Sequence, residues 1–164
     1  MTVGHLTIQS KTAAEGFTLV ELIVTLAIVA ILASVAVPGF QELVNNNRLT
    51  SQANEFITAL NYARSEAVKR GTSITLTANT SGSWHAGWTI GDGTDTIRTY
   101  AAFSGNSTLT NSPAIASVTY KATGFITSTS DLTFNLCDNR TGETGRQIKI
   151  SVTGRASVSN LSCS

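Results

Sequence analysis

The chain has 164 residues, of which 13% are charged, and its formal net charge at neutral pH is +1. This length suits one domain with a single hydrophobic core and an appended segment. So small a net charge excludes a whole-molecule field that would attract nucleic acid or an anionic membrane. Any binding of that kind would have to depend on a local patch.

An apolar run over residues 17–37 follows a polar leader, residues 1–16, that contains one lysine. As a helix, the run spans roughly 31 Å, enough to cross the hydrocarbon core of a bilayer. An ordinary signal peptide is cleaved after small residues that follow its apolar region. Here Val37-Pro38-Gly39-Phe40 follows instead. We therefore predict that residues 17–37 are retained as a membrane anchor.

Glu21 is an ionisable residue near the start of this apolar run. Such residues inside membrane segments are costly and usually functional. An alternative is that Glu21, only about 6 Å along the helix from Phe17, simply reaches the lipid headgroups.

The order Gly16-Phe17-Thr18-Leu19-Val20-Glu21 before an apolar run resembles the type III signal of type IV pilins and type II secretion pseudopilins. The resemblance implies cleavage between Gly16 and Phe17 by a prepilin peptidase, methylation of the new Phe17 amine and assembly with other pilin or pseudopilin subunits. Pro38 matches a proline that often bends the helix in this family. The leader departs from the family pattern because it is only weakly basic.

Glu21 gains a specific role in such a filament, where neighbouring anchors pack together without lipid headgroups. The free amine of Phe17 on the next subunit is the available counter-charge. Removing one partner of a buried pair costs about 3–5 kcal/mol, so the pair would set the register between subunits.

The spacing of apolar residues predicts a second, amphipathic stretch of helix over residues 38–71. Its apolar residues recur at steps of three and four, as expected for one buried helix face: Leu49, Ala53, Phe56, Leu60, Ala63 and Ala67. Gly71 follows Lys69 and Arg70 and is placed to end the helix. Pro38-Gly39 and Asn45-Asn46-Asn47 are poor helix formers and predict a bend or a locally unstable segment.

The segment Leu60-Asn61-Tyr62-Ala63-Arg64-Ser65-Glu66-Ala67-Val68-Lys69-Arg70 resembles the helix end of the GspH/FimT/FimU branch, which contains minor pilins and the minor pseudopilin H. This resemblance implies an α+β pilin fold, in which a long N-terminal helix packs on a C-terminal antiparallel β domain, residues 72–164. It further implies a single pass through the bacterial inner membrane, with the N-terminus in the cytoplasm and the β domain in the periplasm.

Residues after Gly71 alternate between apolar and polar types in short runs. The clearest runs predict antiparallel strands with one face on the helix: residues 72–78, 96–100, 132–136 and 147–152. The polar stretch 104–112 is interpreted as a long loop.

Cys137 and Cys163 are the two cysteines of an exported domain and are expected to form a disulfide. The terminal cysteine pair resembles the FimU-like pilins, which favours a minor pilin over pseudopilin H.

Catalysis and cofactor binding are not expected. The sequence has no nucleophile elbow, and His85 is the only histidine after the leader. Two cysteines are too few for a tetrahedral metal site unless other ligands join them. Asp92 and Asp95 are too few for calcium and fit a hairpin turn better. Trp84 and Trp88, beside His85, could form an exposed adhesive patch, although packing in the core is the favoured interpretation.

DNA is the remaining alternative partner. Four cations near the C-terminus could grip phosphates without reading sequence: Arg140, Arg146, Lys149 and Arg155. Some FimT-type relatives act as DNA-uptake pilins and carry a Gly-Arg-x-Arg element near the C-terminus. Gly154-Arg155-Ala156-Ser157 departs from that element because a serine replaces its second arginine, so a non-DNA role is favoured.

Overall fold

The computed structural model describes residues 16–163, with the side chain of Glu143 excepted. The predicted leader falls almost entirely outside these residues. Contacts within the chain divide it into two units, with the boundary between Gln41 and Glu42.

Helix α1, Leu19–Arg70, runs from the first unit into the second. Thr18 caps its N-terminus, because the Thr18 carbonyl accepts from the Leu22 amide at 3.2 Å and the Thr18 Oγ1 accepts from the Glu21 amide at 3.2 Å. At the other end, Gly71 adopts a φ of +67° and its amide donates to the Ala67 carbonyl at 3.0 Å. The predicted end of the helix is therefore confirmed.

The helix is uninterrupted through Pro38-Gly39 and through Asn45–Asn47. The poor helix formers thus do not break it, and a bend of its axis or local instability stays a prediction. The side chains of residues 17–37 are exposed in the single chain, and this part of α1 is long and apolar enough to cross a membrane. So large an apolar surface requires lipid or protein to cover it.

The second unit contains two four-stranded antiparallel sheets. The first has the order β3-β2-β1-β5 and is built from β1 Ile74–Ala78, β2 Trp88–Gly91, β3 Thr96–Tyr100 and β5 Ser117–Tyr120. The second has the order β4-β6-β7-β8 and is built from β4 Thr108–Asn111, β6 Leu132–Cys137, β7 Gly142–Ile150 and β8 Ala156–Cys163.

The expectation of a loop over residues 104–112 is wrong in its second half, which forms β4. Leu109 is fully buried and pairs with Leu136 of β6. One apolar residue among polar neighbours gives almost no periodic signal, but pairing with β6 satisfies the backbone and buries that side chain.

The core joins α1 to both sheets. All six residues of the predicted apolar stripe are fully buried, which confirms the packing face of the helix. The Phe56 ring lies 5.1 Å from Trp88 of the first sheet and 5.0 Å from Phe134 of the second, both edge-to-face. Trp84 is also fully buried, so both tryptophans belong to the core and an exposed tryptophan patch is wrong.

Candidate functional site

The predicted processing site lies immediately before α1. Gly16, Phe17 and Thr18 are not helical, and the Phe17 side chain is 82% exposed. A Cβ placed on Gly16 would meet no atom within 4 Å. Packing against residues 17–163 therefore does not require glycine at this position. Cleavage and methylation stay predictions.

Glu21 is exposed and occupies the third position of α1. A carboxylate in the first turn of a helix is favoured by the helix dipole. The spacing Thr18-x-x-Glu21 is also that of a capping box, a signal that the sequence reasoning missed. This local role does not exclude the predicted pairing of Glu21 with Phe17 of a neighbour, which stays a prediction. Pro38 lies on the exposed surface of the helix, and its predicted role in assembly is likewise untested.

The predicted disulfide between Cys137 and Cys163 is confirmed, with the two Cα atoms 6.0 Å apart. It joins β6 to β8 across the intervening strand β7. Gly145 of β7 lies directly beneath the bridge, where a Cβ would collide with the Cys163 sulfur and lie 2.9 Å from the Leu136 carbonyl oxygen. A glycine is therefore needed for the disulfide to cross β7, a requirement that the sequence did not reveal.

Arg64, from the segment that resembles the GspH/FimT/FimU branch, connects two turns. Its Nε donates to the Gly124 carbonyl at 3.0 Å, and its Nη2 donates to the Thr153 carbonyl at 3.1 Å. The first turn follows β5 and the second joins β7 to β8. Arg64 thus ties both sheets to the end of α1.

Glu66, in the same segment, is largely buried and accepts a hydrogen bond from Arg70 Nε at 2.7 Å. This bond raises the pKa of Arg70. Arg70 Nη1 also lies 3.8 Å from the carboxylate of Asp92 in the β2–β3 hairpin. Glu66 and Arg70 therefore anchor the helix end to the first sheet, which is a structural role.

Asp92 forms the predicted hairpin turn. Its Oδ1 accepts from the amides of Asp95 at 2.9 Å and Thr94 at 3.0 Å. These backbone hydrogen bonds, with that from Asp95 the larger cause, lower the pKa of Asp92. Among residues 16–163, no group of three or more His, Cys, Asp or Glu side chains could hold a metal ion.

Two of the four candidate DNA-contacting cations are neutralised by acids. Arg140 Nη2 lies 2.7 Å from a carboxylate oxygen of Asp138, whose side chain is 1% exposed. Burial by itself raises the pKa of Asp138, but the hydrogen bonds from Arg140 have the larger combined effect. The pKa of Asp138 is therefore lowered. Lys149 lies 3.0 Å from Asp131, and its hydrogen bond lowers the pKa of that carboxyl.

The other two cations do not complete a common patch. Ile148 and Ile150 of β7 are buried, so Arg146 shares their core-facing side of the strand, whereas Lys149 lies on the opposite side. Arg155 is exposed in the β7–β8 turn. The structure thus does not bring the four together on one face, and DNA binding remains an untested alternative.

The chain has a Gly-Phe signal, then a long N-terminal helix, and this helix packs on antiparallel sheets. These features define a pilin-like protein. The model of the prokaryotic N-terminal methylation motif matches residues 11–37. The model of the type II transport protein GspH matches residues 52–154. The chain therefore belongs to the GspH family.

Solved structures agree with this assignment. The chain is similar to the crystal structure of the type IV minor pilin FimU of Pseudomonas aeruginosa, with a TM-score of 0.66 and 30% identity over 72% of this chain and 96% of that chain. A second crystal form of FimU gives a TM-score of 0.63 at 29% identity.

Two relatives named fimbrial protein, also from Pseudomonas aeruginosa, are each 36% identical over 66 residues. These matches span 40% of this chain and 42% of each relative, which is less than half their length.

Proposed function

We propose that this chain is a minor pilin of a type IV pilus, which initiates the filament or lies at its tip and supports twitching motility. The observation that carries the proposal is the similarity to the minor pilin FimU, which extends over 96% of that chain. The similarity covers 72% of this chain, so it is not confined to the N-terminal signal.

The first unit supplies the means of assembly in this proposal. Prepilin peptidase cleaves between Gly16 and Phe17, and the apolar stretch 17–37 holds the subunit in the inner membrane with the β domain in the periplasm. The exposed apolar side chains of that stretch support it, because neighbouring subunits would cover them once the chain leaves the lipid.

A minor pseudopilin of type II secretion is the second candidate. It is favoured by one observation, the match of residues 52–154 to a family described as type II transport protein GspH. Both candidates share processing, anchoring and assembly, and they differ only in the machine that the filament serves.

Deletion of the gene in its own organism separates the two candidates. We expect loss of surface pili and twitching, restored by the wild-type gene, with exoprotein secretion unchanged. Loss of secretion with normal twitching would support the pseudopilin instead, and loss of DNA uptake alone would support a DNA-binding pilin. Intact-mass analysis of the complementing protein should give a chain that starts at a methylated Phe17. A chain that starts at Met1, or that is cut after Val37, would refute the proposed processing.

A further inference from the structure

Strand β8, Ala156–Cys163, forms an edge of the second sheet. One side of its backbone pairs with β7, and no other strand within residues 16–163 pairs with its outer side. Natural proteins block such edges with charged residues, prolines or a covering element. The sequence Ala-Ser-Val-Ser-Asn-Leu-Ser-Cys contains neither charge nor proline. Its backbone is therefore open to a further strand.

A small groove of about 100 Å³ lies between β8 and α1, with Arg146 in its lining. Val158 borders the groove and is 46% exposed although it faces the same side of the sheet as the buried Ile148. Asn160 lies directly opposite Arg146 in the strand register. The groove thus offers an apolar contact and a cation beside the open edge.

Arg146 holds its position through neutral partners. Its Nη2 donates to Thr50 Oγ1 at 3.1 Å, and its Nη1 donates to the Gly145 carbonyl at 2.9 Å. No carboxylate among the side chains that the structure describes lies within 4.0 Å of it. Arg140 and Lys149 differ in this respect, since each has an acid at 3.0 Å or less. Among the described side chains, which do not include that of Glu143, the half-buried guanidinium of Arg146 therefore has no carboxylate partner.

We propose that β8 and Arg146 together bind an extended acidic segment of a different protein chain. The segment adds to the outer edge of β8 as a further strand, and one of its Asp or Glu side chains enters the groove and pairs with Arg146. A second copy of β8 would satisfy the backbone but contains no acid for Arg146, so charge complementarity favours a different chain. This inference goes beyond the proposed function, because it would hold in a pilus or a pseudopilus.

The test uses the full chain in detergent micelles and fluorescent peptides of about seven residues, a typical strand length. The probe alternates threonine and valine around a central glutamate, and the matched peptide has glutamine at the centre. Wild-type protein should bind the glutamate peptide about fivefold more tightly, as expected for a partly exposed charge pair. The preference should fall at high salt.

Two variants assign the preference to the groove. Arg146→Gln should abolish it, and Lys149→Gln, on the other face of β7, should retain it. Circular dichroism verifies that both variants are folded, and Arg146→Lys should retain part of the preference because it keeps the charge.

Two peptides N-methylated at alternate residues test the strand geometry. One of them should still bind, because its methyl groups face away from β8.

Several results would overturn the proposal. They are equal binding of the glutamate and glutamine peptides, absence of binding by the glutamate peptide, binding by both N-methylated peptides, and a preference that survives Arg146→Gln. Displacement of the bound glutamate peptide by a short DNA duplex from wild type but not from Arg146→Gln would assign this cation to nucleic acid instead. Dimerisation through β8 that excludes the peptide would assign the edge to a second copy.

Discussion

At the scale of single residues, Gly154 shows how tightly the two turns held by Arg64 approach each other. Gly154 has a φ of +79°, and a Cβ at this position would collide with the Gly124 carbonyl oxygen and lie 3.0 Å from the Tyr120 ring. Gly93 also has a positive φ, +95°, but a Cβ there would meet nothing within 4 Å. Substitution of Gly93 would therefore cause backbone strain alone, whereas substitution of Gly154 would cause both backbone strain and steric overlap.

We predict that Gly93→Ala lowers the free energy of unfolding by about 1–2 kcal/mol, the cost of a left-handed conformation for a residue with a side chain. Gly154→Ala should cost clearly more, because it adds displacement of the Gly124 carbonyl to the same strain. Urea unfolding of both detergent-solubilised variants measures the difference. Equal losses would mean that the turns separate without cost.

Tyr120 is a fully buried tyrosine of the core. Burial raises the pKa of its hydroxyl to about 12, and the hydroxyl has no hydrogen-bond partner among the described residues. The ordinary value is about 10. Because the pKa is higher in the folded state, this contribution to stability is complete below pH 10 and is lost as pH rises toward 12.

Wild-type protein should therefore lose stability relative to Tyr120→Phe as pH rises from about 9 to 11, by about 1 kcal/mol over that interval. At neutral pH the variant should be nearly as stable as wild type, because the deleted hydroxyl has no hydrogen-bond partner among the described residues. Thermal unfolding of both proteins across this pH range provides the measurement. Parallel curves would show that Tyr120 ionises freely in the folded state.

At the scale of elements, local patterns were predictable and distant pairings were not. The buried face of α1 follows from spacing within one helix, and Gly71 marks its end by its own chemistry. Strands β2, β5 and β8 were missed, as was β4, because the burial of residues such as Leu109 depends on strands far along the chain. For the candidate site, the disulfide was predictable because there are only two cysteines. The glycine beneath it, Gly145, was not, since its necessity arises only when β6, β7 and β8 align.

The disulfide should stabilise the edge strand β8 more than any other element. Its loop of about 27 residues corresponds to roughly 3–4 kcal/mol in the chain-entropy model. We predict that the double variant Cys137→Ala, Cys163→Ala loses stability on this order, and that amide hydrogen exchange accelerates first in Ala156–Cys163. The comparison with wild type in reductant separates loss of the bond from loss of the sulfur atoms. Unchanged exchange in β8 would show that strand pairing alone holds this edge.

At the scale of the whole molecule, the two units pose different problems of burial. The second unit covers its own apolar residues with the core around Phe56, whereas residues 17–37 leave theirs exposed. Leucine, isoleucine, valine and alanine suffice for a helix in lipid. Glu21 is the one acid among these residues, so its presence calls for a function other than anchoring.

We therefore predict that Glu21→Leu leaves membrane insertion, leader cleavage and the folded β domain intact but prevents incorporation into filaments. The Phe17 amine of a neighbour would then be buried without its carboxylate, a loss of about 3–5 kcal/mol per contact. The measurement is the amount of the subunit in sheared filaments at equal expression. Glu42→Leu, the same change at an exposed helix position beyond the apolar run, is the matched control and should incorporate normally.

Glu21→Asp distinguishes the proposed charge pair from the local cap at Thr18. Asp keeps the charge near the helix N-terminus but shortens the reach by one methylene, so a dipole or headgroup role would leave assembly at the wild-type level. An intersubunit pair depends on distance, and we expect partial incorporation of Glu21→Asp. If Glu21→Leu assembled as well as wild type, the charge pair would be wrong. If Asp behaved no better than Leu, the geometry of the contact, and not charge alone, would set the register of the filament.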